Sequence, residues 1–214
     1  MTDLPAGGIP VDPDDCDRRW QPWTPNEIAT RLDGCAASWC VVGGWAIDMF
    51  LGASTRPHDD VEIAVPRGQF DALAAHFGDA RWDVVGSGLR WSFDEVGDDE
   101  RLHQTWLCDP TSGAYHLDVF REPHDDDTWI CRFDPSITLP YDDLIRFTRH
   151  GIPYATPEVV LLFKSRAPRP KDRQDFAAVL PHLSGTQRRR LGDWIRRNPE
   201  HRTIDLPGLS QLNS

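Results

Sequence analysis

The chain is 214 residues long, with 39% apolar residues, nine tryptophans and a formal net charge of −11. That length allows one large domain, or a core domain with a smaller helical one, and the apolar share can build a real core. The acid excess speaks against nucleic acid as the main partner, because a nucleic-acid binder presents a basic face; it suits a cationic small substrate and plain solubility alike. The five cysteines are odd in number and contain no CxxC pair. Reduced, buried thiols in a cytoplasm therefore fit better than a zinc ribbon or a disulfide framework. The first 20 residues lack the apolar core of a signal peptide, and no run is long enough to span a bilayer, so no membrane partner is expected.

Residues 1–23 are rich in Pro and Gly, carry the acidic run from Asp12 to Asp17, and read as an extended arm laid over the body by Trp20 and Trp23. Thr24-Pro25-Asn26-Glu27 is a capping box with Pro at the first helical position; its helix runs to about Leu32 and stops at Gly34. A strand follows over Trp39 to Val42. Gly43-Gly44 ends it where the backbone must turn sharply or lie close to a ligand. Trp45 to Leu51 has helical spacing, and Gly52 is a natural stop. The next strand carries Asp60 and Glu62 two residues apart. Side chains alternate along a strand, so these two carboxylates share one face while Val61, Ile63 and Val65 share the other. Two neighbouring acids on an apolar strand repel each other, and a divalent cation is the usual compensation.

Pro66 opens a helix through Phe70, Leu73 and Phe77 that ends at Gly78. Trp82 to Val85 and Leu89 to Phe93 are strands around the turn Gly86-Ser87-Gly88, and Asp94 to Glu100 is an acidic loop. His103 to Cys108 and Tyr115 to Phe120 alternate about a turn-rich connector and should pair antiparallel. Thr128 to Phe133 is a further strand. Helical patterns then cover Tyr141 to Arg149, Thr156 to Ala167, Asp172 to Leu183 and Thr186 to Arg197, the last ended by Asn198-Pro199. The expected fold class is α+β with an α/β-type N-terminal body. It divides into an arm (1–23), a mixed-sheet core (24–135), a small C-terminal helical domain (136–200) and a tail (201–214).

GGWAID followed by LGASTRPHDDVEI resembles the nucleotidyltransferase superfamily typified by DNA polymerase β, and more closely the antibiotic nucleotidyltransferases of the aminoglycoside 2″-adenylyltransferase type. YHLDVF, HQTW, HLDVFREP, DDTW, GIPYATPEVVLLFKSR and RPKDRQDF extend the resemblance over roughly residues 39–200. The resemblance implies a phosphate-binding turn at Gly43 and Gly44. It makes Asp60, Glu62 and Asp118 the catalytic carboxylates and the ligands of a two-ion Mg²⁺ site, with Asp118 the candidate general base. ATP would be the substrate, and its AMP would move onto a hydroxyl of an aminoglycoside-like molecule with release of pyrophosphate. Glu62 departs from the pattern, because the best-known members carry Asp there; its side chain is one methylene longer. The chemistry agrees with these residue types: bare glycines at a helix start admit a polyphosphate to backbone N–H groups, carboxylates hold Mg²⁺, and a third carboxylate can take the hydroxyl proton.

Other residues carry two readings each. Arg56 can contact the triphosphate or form a loop salt bridge, and Lys164 can reach nucleotide phosphates or stand as a surface lysine with an apolar stem. His58 is expected to order its loop by a hydrogen bond, Asp48 to act within or cap its helix, and Asp59 to face solvent. Lys171, Asp172 and Asp175 are expected as surface pairs with Arg173. Trp91, Trp106 and Trp129 are core candidates, one of which could stack on adenine or an aminosugar. Three rival functions stay open: a toxin-like nucleotidyltransferase acting on tRNA or protein, which would use the arginine-rich last helix, a non-catalytic nucleotide-binding or antitoxin-like module, and a metal-dependent hydrolase using the same acids, which the absence of a further His or Asp cluster in the sequence disfavours. The expected assembly is a monomer or homodimer.

Overall fold

The structure is a computed structural model that describes residues 4–197; the expected stop at Asn198-Pro199 and the tail lie outside the described residues. The arm holds β1 (Ile9–Pro10) and α1 (Pro13–Arg19), and α2 (Pro25–Arg31) follows. Next come β2 (Cys40–Val41), α3 (Gly43–Leu51), β3 (Glu62–Pro66) and α4 (Phe70–His76). The hairpin β4 (Arg81–Gly86) and β5 (Leu89–Ser92) leads to the short α5 (Phe93–Val96). Then β6 (Gln104–Cys108) and β7 (Tyr115–Glu122) are followed by β8 (His124–Asp125), β9 (Thr128–Ile130) and β10 (Thr138–Pro140). The chain continues through α6 (Tyr141–Leu144), β11 (Ile145–Phe147), β12 (Pro153–Ala155), α7 (Pro157–Lys164), α8 (Pro170–Val179) and α9 (Gly185–Arg197).

The main sheet is mixed, with order β1-β5-β4-β6-β7-β3-β2-β12-β11, and β8, β9 and β10 form a small second sheet. The expected α+β fold with a mixed sheet is therefore present. The segment from 141 to 149 departs from its helical pattern. Only its first four residues are helical; Ile145–Phe147 then pairs antiparallel with Pro153–Ala155, and that hairpin joins the main sheet through Tyr154 beside Val41. Gly151, at φ 79°, makes the turn that ends the helix pattern. The sheet thus continues beyond residue 136 into the expected helical segment.

Register fixes which side chains share a face. Glu62, Asp118, Trp106 and Asp83 form one row across β3, β7, β6 and β4. Ile63, Val119, Thr105 and Val84 form the adjoining row on the opposite face, all of them buried. That opposite face carries the apolar core, where Phe70 of α4 meets the Trp82 ring edge-on at 5.1 Å. On the acid-bearing face the arm covers the far strands: Trp20 packs edge-on against Trp106 at 5.6 Å, and Gln21 and Trp23 donate backbone N–H groups to the carbonyls of Tyr115 and His116. Trp23 also stacks on the His116 ring at 5.1 Å. The capping box of α2 forms as read, with Thr24 and Glu27 exchanging hydrogen bonds. Among the described residues no helix is long and apolar enough to cross a membrane.

Candidate functional site

Gly43 and Gly44 are the first two residues of α3 rather than a turn before it. Gly43 has φ 63°, a left-handed backbone that disfavours other residues, and a Cβ there would overlap Glu62 Oε2. A Cβ on Gly44 would collide with the Arg56 guanidinium and the His58 ring. The two glycines therefore let a carboxylate and a cation close on the helix start from different sides. The extra methylene of Glu62, the departure noted in the sequence, is what lets its carboxyl group fold back over the bare Gly43 α-carbon.

Glu62 and Asp118 are direct register partners on the parallel strands β3 and β7, so their side chains leave the same face of the sheet. Asp60 lies just before β3 rather than within it, because the strand begins at Glu62; its carbonyl accepts a hydrogen bond from Trp45 Nε1 at 3.1 Å. Asp118 is 3% exposed. Gln104 Nε2 donates to its Oδ2 at 2.6 Å, while its Oδ1 is buried with no hydrogen-bond partner among the described residues. Burial first, and then the Glu62 charge, push the Asp118 carboxyl well above the usual carboxylate range, against the hydrogen bond from Gln104 and the weaker pull of the Trp106 indole N–H, which is near the carboxyl but lacks hydrogen-bond geometry. Burial likewise raises Glu62, with Asp60 adding to it, while Lys164, Arg169 and Lys171 pull the other way. The three predicted acids thus share one electrostatic neighbourhood. Among the described residues, however, no three acid, histidine or cysteine side chains already stand close enough to hold a metal ion. An orphaned, buried carboxylate oxygen beside a second unneutralised carboxylate is still a donor set that fits a hard divalent cation.

Arg56 and His58 sit on the other side of the helix start. The Arg56 guanidinium donates to His58 Nδ1 at 3.1 Å, so His58 carries its proton on Nε2, which donates to Asp48 Oδ2 at 2.7 Å. Thr55 donates its backbone N–H and hydroxyl to Asp48 Oδ1, and His58 stacks on Trp45 at 4.5 Å. His58 orders the loop as expected, while Asp48 anchors that loop to α3 instead of capping it. Arg56 also lies 3.6 Å from Asp175.

Asp172 and Asp175 are not surface partners of Arg173. Both are 2% exposed. Lys164 Nζ bridges them at 3.0 and 2.9 Å, and Arg169 binds Asp172 at 2.9 Å. Asp172 and Asp175 share the inward face of α8 with the buried Phe176 and Val179. The Lys164 ammonium is thereby committed to two carboxylates.

A cavity of about 290 Å³ opens from Gly43 and Glu62 toward α7. Its walls come from the sheet through Cys40, Ala64 and Phe120, from Trp129 on β9, and from Val160 and Phe163 on α7. Trp129 thus stands at a ligand-sized space; Trp91 packs in a separate cluster, and Trp106 lies beside Asp118 in the strand register without lining the cavity. Sequence reasoning missed Gln104, Glu122 and Arg132. Only the register that sets Gln104 two residue pairs along from Asp118, on the same face, reveals the first; Glu122 ends β7 and meets Arg132, from the turn after β9, at the cavity wall.

Residues 26–103 match the family model described as aminoglycoside-2″-adenylyltransferase. Curated proteins named 2″-aminoglycoside nucleotidyltransferase, from Escherichia coli and Klebsiella pneumoniae, are 37% identical over 60 residues, or 27% of this chain and 32% of theirs. The match spans about a third of the length of those relatives. A lincosamide antibiotic adenylyltransferase, LnuA, solved with lincomycin bound, aligns at a TM-score of 0.51 and 17% identity over 80% of this chain and 98% of its own. ANT(2″)-Ia in complex with adenylyl-2″-tobramycin aligns at 0.50 and 16%, over 80% and 95%. These two share the fold. The resemblance read from GGWAID and the acids after it is borne out.

Proposed function

We propose, on the premise of that kinship, that this chain is a Mg²⁺-dependent nucleotidyltransferase that moves AMP from ATP onto a hydroxyl of a small molecule and releases pyrophosphate. The observation that carries the reading is the side-by-side placement of Glu62 and Asp118, with Asp118 Oδ1 buried and unbonded among the described residues, next to the bare Gly43 at a helix start. Gly43 and Gly44 admit the triphosphate to the first N–H groups of α3, and Arg56 beside Gly44 adds positive charge. Glu62 and Asp118, with Asp60 at the head of the strand, would hold the Mg²⁺ ions. When bound, Mg²⁺ would supply the counter-charge that lets a triphosphate approach these carboxylates. The acceptor oxygen attacks the α-phosphorus, the bond to the bridging oxygen of the pyrophosphate breaks, and the hydroxyl proton passes to Asp118. Asp118 Oδ1, buried and unbonded among the described residues, is the oxygen open to take it. Gln104 fixes the other oxygen and so aims the free one.

Lys164 contributes charge near Glu62 without leaving its two partners. Five free cysteines favour work in the cytoplasm, where ATP is supplied. The acceptor is a hydroxyl compound of the antibiotic kind that the relatives' names describe. The test is pyrophosphate release from MgATP over a panel of aminoglycosides and lincosamides. Release should require an acceptor and fall about 10²–10⁴-fold in Asp118→Asn and in Glu62→Gln. Release that survives both substitutions would remove the carboxylates from the chemistry.

A further inference from the structure

The N-terminal arm lies outside the residues that match the family model, which begin at 26, and yet it runs up to the catalytic acids. It starts at the sheet edge far from them, where β1 pairs with β5. It then crosses the acid-bearing face, with Cys16 and Trp20 packed over Val85, Cys108 and Tyr115. Two contacts that do not involve Trp20 fasten the end of that path. Arg19 Nε donates to the Gly113 carbonyl at 2.8 Å, and His116 Nδ1 donates to the Gln21 carbonyl at 2.7 Å.

The arm ends in the lane of β3. One edge of β7 is taken by β6 as far as Tyr115. Trp20, in a parallel bridge with Tyr115, therefore takes the other edge, the one that β3 uses from Asp118 onward. Gln21 and Trp23 donate N–H groups to the carbonyls of Tyr115 and His116 at 2.9 and 3.1 Å, and further along the lane Asp118 N–H donates to the Val61 carbonyl at 3.0 Å. Both segments run parallel to β7, so they lie head to tail, and the arm fills the place where β3 would extend past Val61 toward its N-terminus. Asp60 is turned out of the ladder there. Its carbonyl still needs a donor and finds Trp45 Nε1 at 3.1 Å. The arm also reaches Asp118 through a ring. Trp106 stands opposite Asp118 in the register, with its indole N–H near the carboxyl and without a hydrogen-bond partner among the described residues. A ring without a hydrogen bond keeps its angle through packing. Here Trp20 meets it edge-on at 5.6 Å and Tyr115 at 5.0 Å.

We propose that the arm is a positioning element of the transfer reaction: residues 21–23 hold Asp60 out of β3, and Trp20 is a positioning residue that fixes the Trp106 indole beside Asp118. This rests on the nucleotidyl-transfer reading above and adds to the working site a segment that precedes the family match. Loosening the arm leaves the apolar core under Ile63 and Val119 in place, because that core is on the opposite face of the sheet. It frees two of the three acids to drift, and small displacements of groups that hold a metal or receive a proton are costly in rate.

The experiment compares three full-length variants with wild type. Trp20→Ala removes the ring and keeps the anchors at Arg19 and His116. Trp20→Phe restores a ring. Gln21→Pro keeps the Trp20 ring and removes the N–H that bonds the Tyr115 carbonyl. In acceptor-dependent pyrophosphate release, kcat should fall about tenfold in Trp20→Ala and in Gln21→Pro, with the KM for MgATP within about twofold of wild type. Trp20→Phe should recover kcat to within about threefold of wild type. Thermal scans without nucleotide are the second readout. At Mg²⁺ about ten times the wild-type dissociation constant, a site weakened about tenfold keeps about a third of the Mg²⁺-induced rise in melting temperature, and both variants should show that reduced rise. Gln21→Pro carries the test should Trp20→Ala not fold. Wild-type kcat together with an undiminished Mg²⁺ rise in both variants would overturn the proposal. So would a loss that comes through KM alone, or no recovery in Trp20→Phe, because each describes general loosening of the fold. A wild-type chain that releases no pyrophosphate with any acceptor defeats the nucleotidyl-transfer reading instead, and the Mg²⁺ rise then still decides whether the arm sets the acids.

Discussion

Asp172 and Asp175 on α8 and Glu62 and Asp118 on the sheet are two pairs of carboxylates drawn away from bulk water, one member of each lining the cavity, yet the chain treats the two pairs in opposite ways. Asp172 and Asp175 meet a lysine between them and an arginine on either side. Burial acts to raise Asp172, but the hydrogen bonds from Arg169 and Lys164 outweigh it and hold the group at about 2. Burial and the Glu62 charge push Asp118 upward, and burial and Asp60 push Glu62 upward against the more distant pull of Lys164, Arg169 and Lys171. Burial alone does not mark a functional acid; burial that its counter-charges do not offset does. The α8 pair anchors the helices to the Arg56 loop, whereas the sheet pair stores repulsion that a bound cation can relieve.

Removing the lysine is the hardest test of the contrast. Lys164→Met leaves two buried carboxylates with only outer partners, and breaking a buried pair from one side costs about 3–5 kcal/mol. A loss near about 3 kcal/mol is expected in urea unfolding, the low end of that range, because Arg56 and Arg169 remain. Asp118→Asn should act with the opposite sign. Its folded-state affinity for a proton is raised, so the wild-type carboxyl group contributes stability below its unfolded value of about 4 and loses that contribution as pH rises through the folded value. The variant should equal wild type at acid pH and gain about 1–3 kcal/mol on it toward neutrality, in buffer without divalent ions. A gain that is flat with pH, or a loss at neutral pH, would mean that Asp118 is already compensated.

The sequence carried much of this site and little of its electrical state. Asp60, Glu62 and Asp118 are picked out together by the family resemblance; strand register does set Glu62 beside Asp118, whereas Asp60 precedes the strand instead of alternating along it, and Gly43 has the positive φ that a glycine turn suggests. Asp172 and Asp175 read as surface residues since a helix rich in Lys, Arg and Asp normally is one; only the packing of α8 against α7 and α3 turns them in. The pattern from Tyr141 to Arg149 failed for a different reason. Ile145 and Phe147 suit a strand as well as a helix, and what decides is the edge of the sheet at β12, formed by residues later in the chain.

Divalent cation should sharpen the same contrast without any substitution. Mg²⁺ at about ten times its dissociation constant stabilises by about 1.4 kcal/mol, which raises the melting temperature by about 3–6 °C for a chain of this size. Thermal scans without nucleotide should show that rise in wild type and in Arg169→Ala, and no rise in Asp118→Asn. A rise that persists in Asp118→Asn would put the cation elsewhere.

The smallest effect should come from the outermost member of the compensated pair. Arg169 touches Asp172 as closely as Lys164 does, but its side chain is 62% exposed where that of Lys164 is 9% exposed. Water already screens it, and exposed pairs are worth about 0–1 kcal/mol. Arg169→Ala also keeps the backbone N–H that donates to Asp172 Oδ2 at 3.0 Å. Its cost in urea unfolding should therefore stay below about 1 kcal/mol. Adding Lys164→Met should then cost more than the two single losses together, because only the double variant strips Asp172 of both side-chain cations. If Arg169→Ala alone costs as much as Lys164→Met, distance to the nearest cation decides the matter and depth does not, and the distinction between the two pairs of acids loses its physical basis.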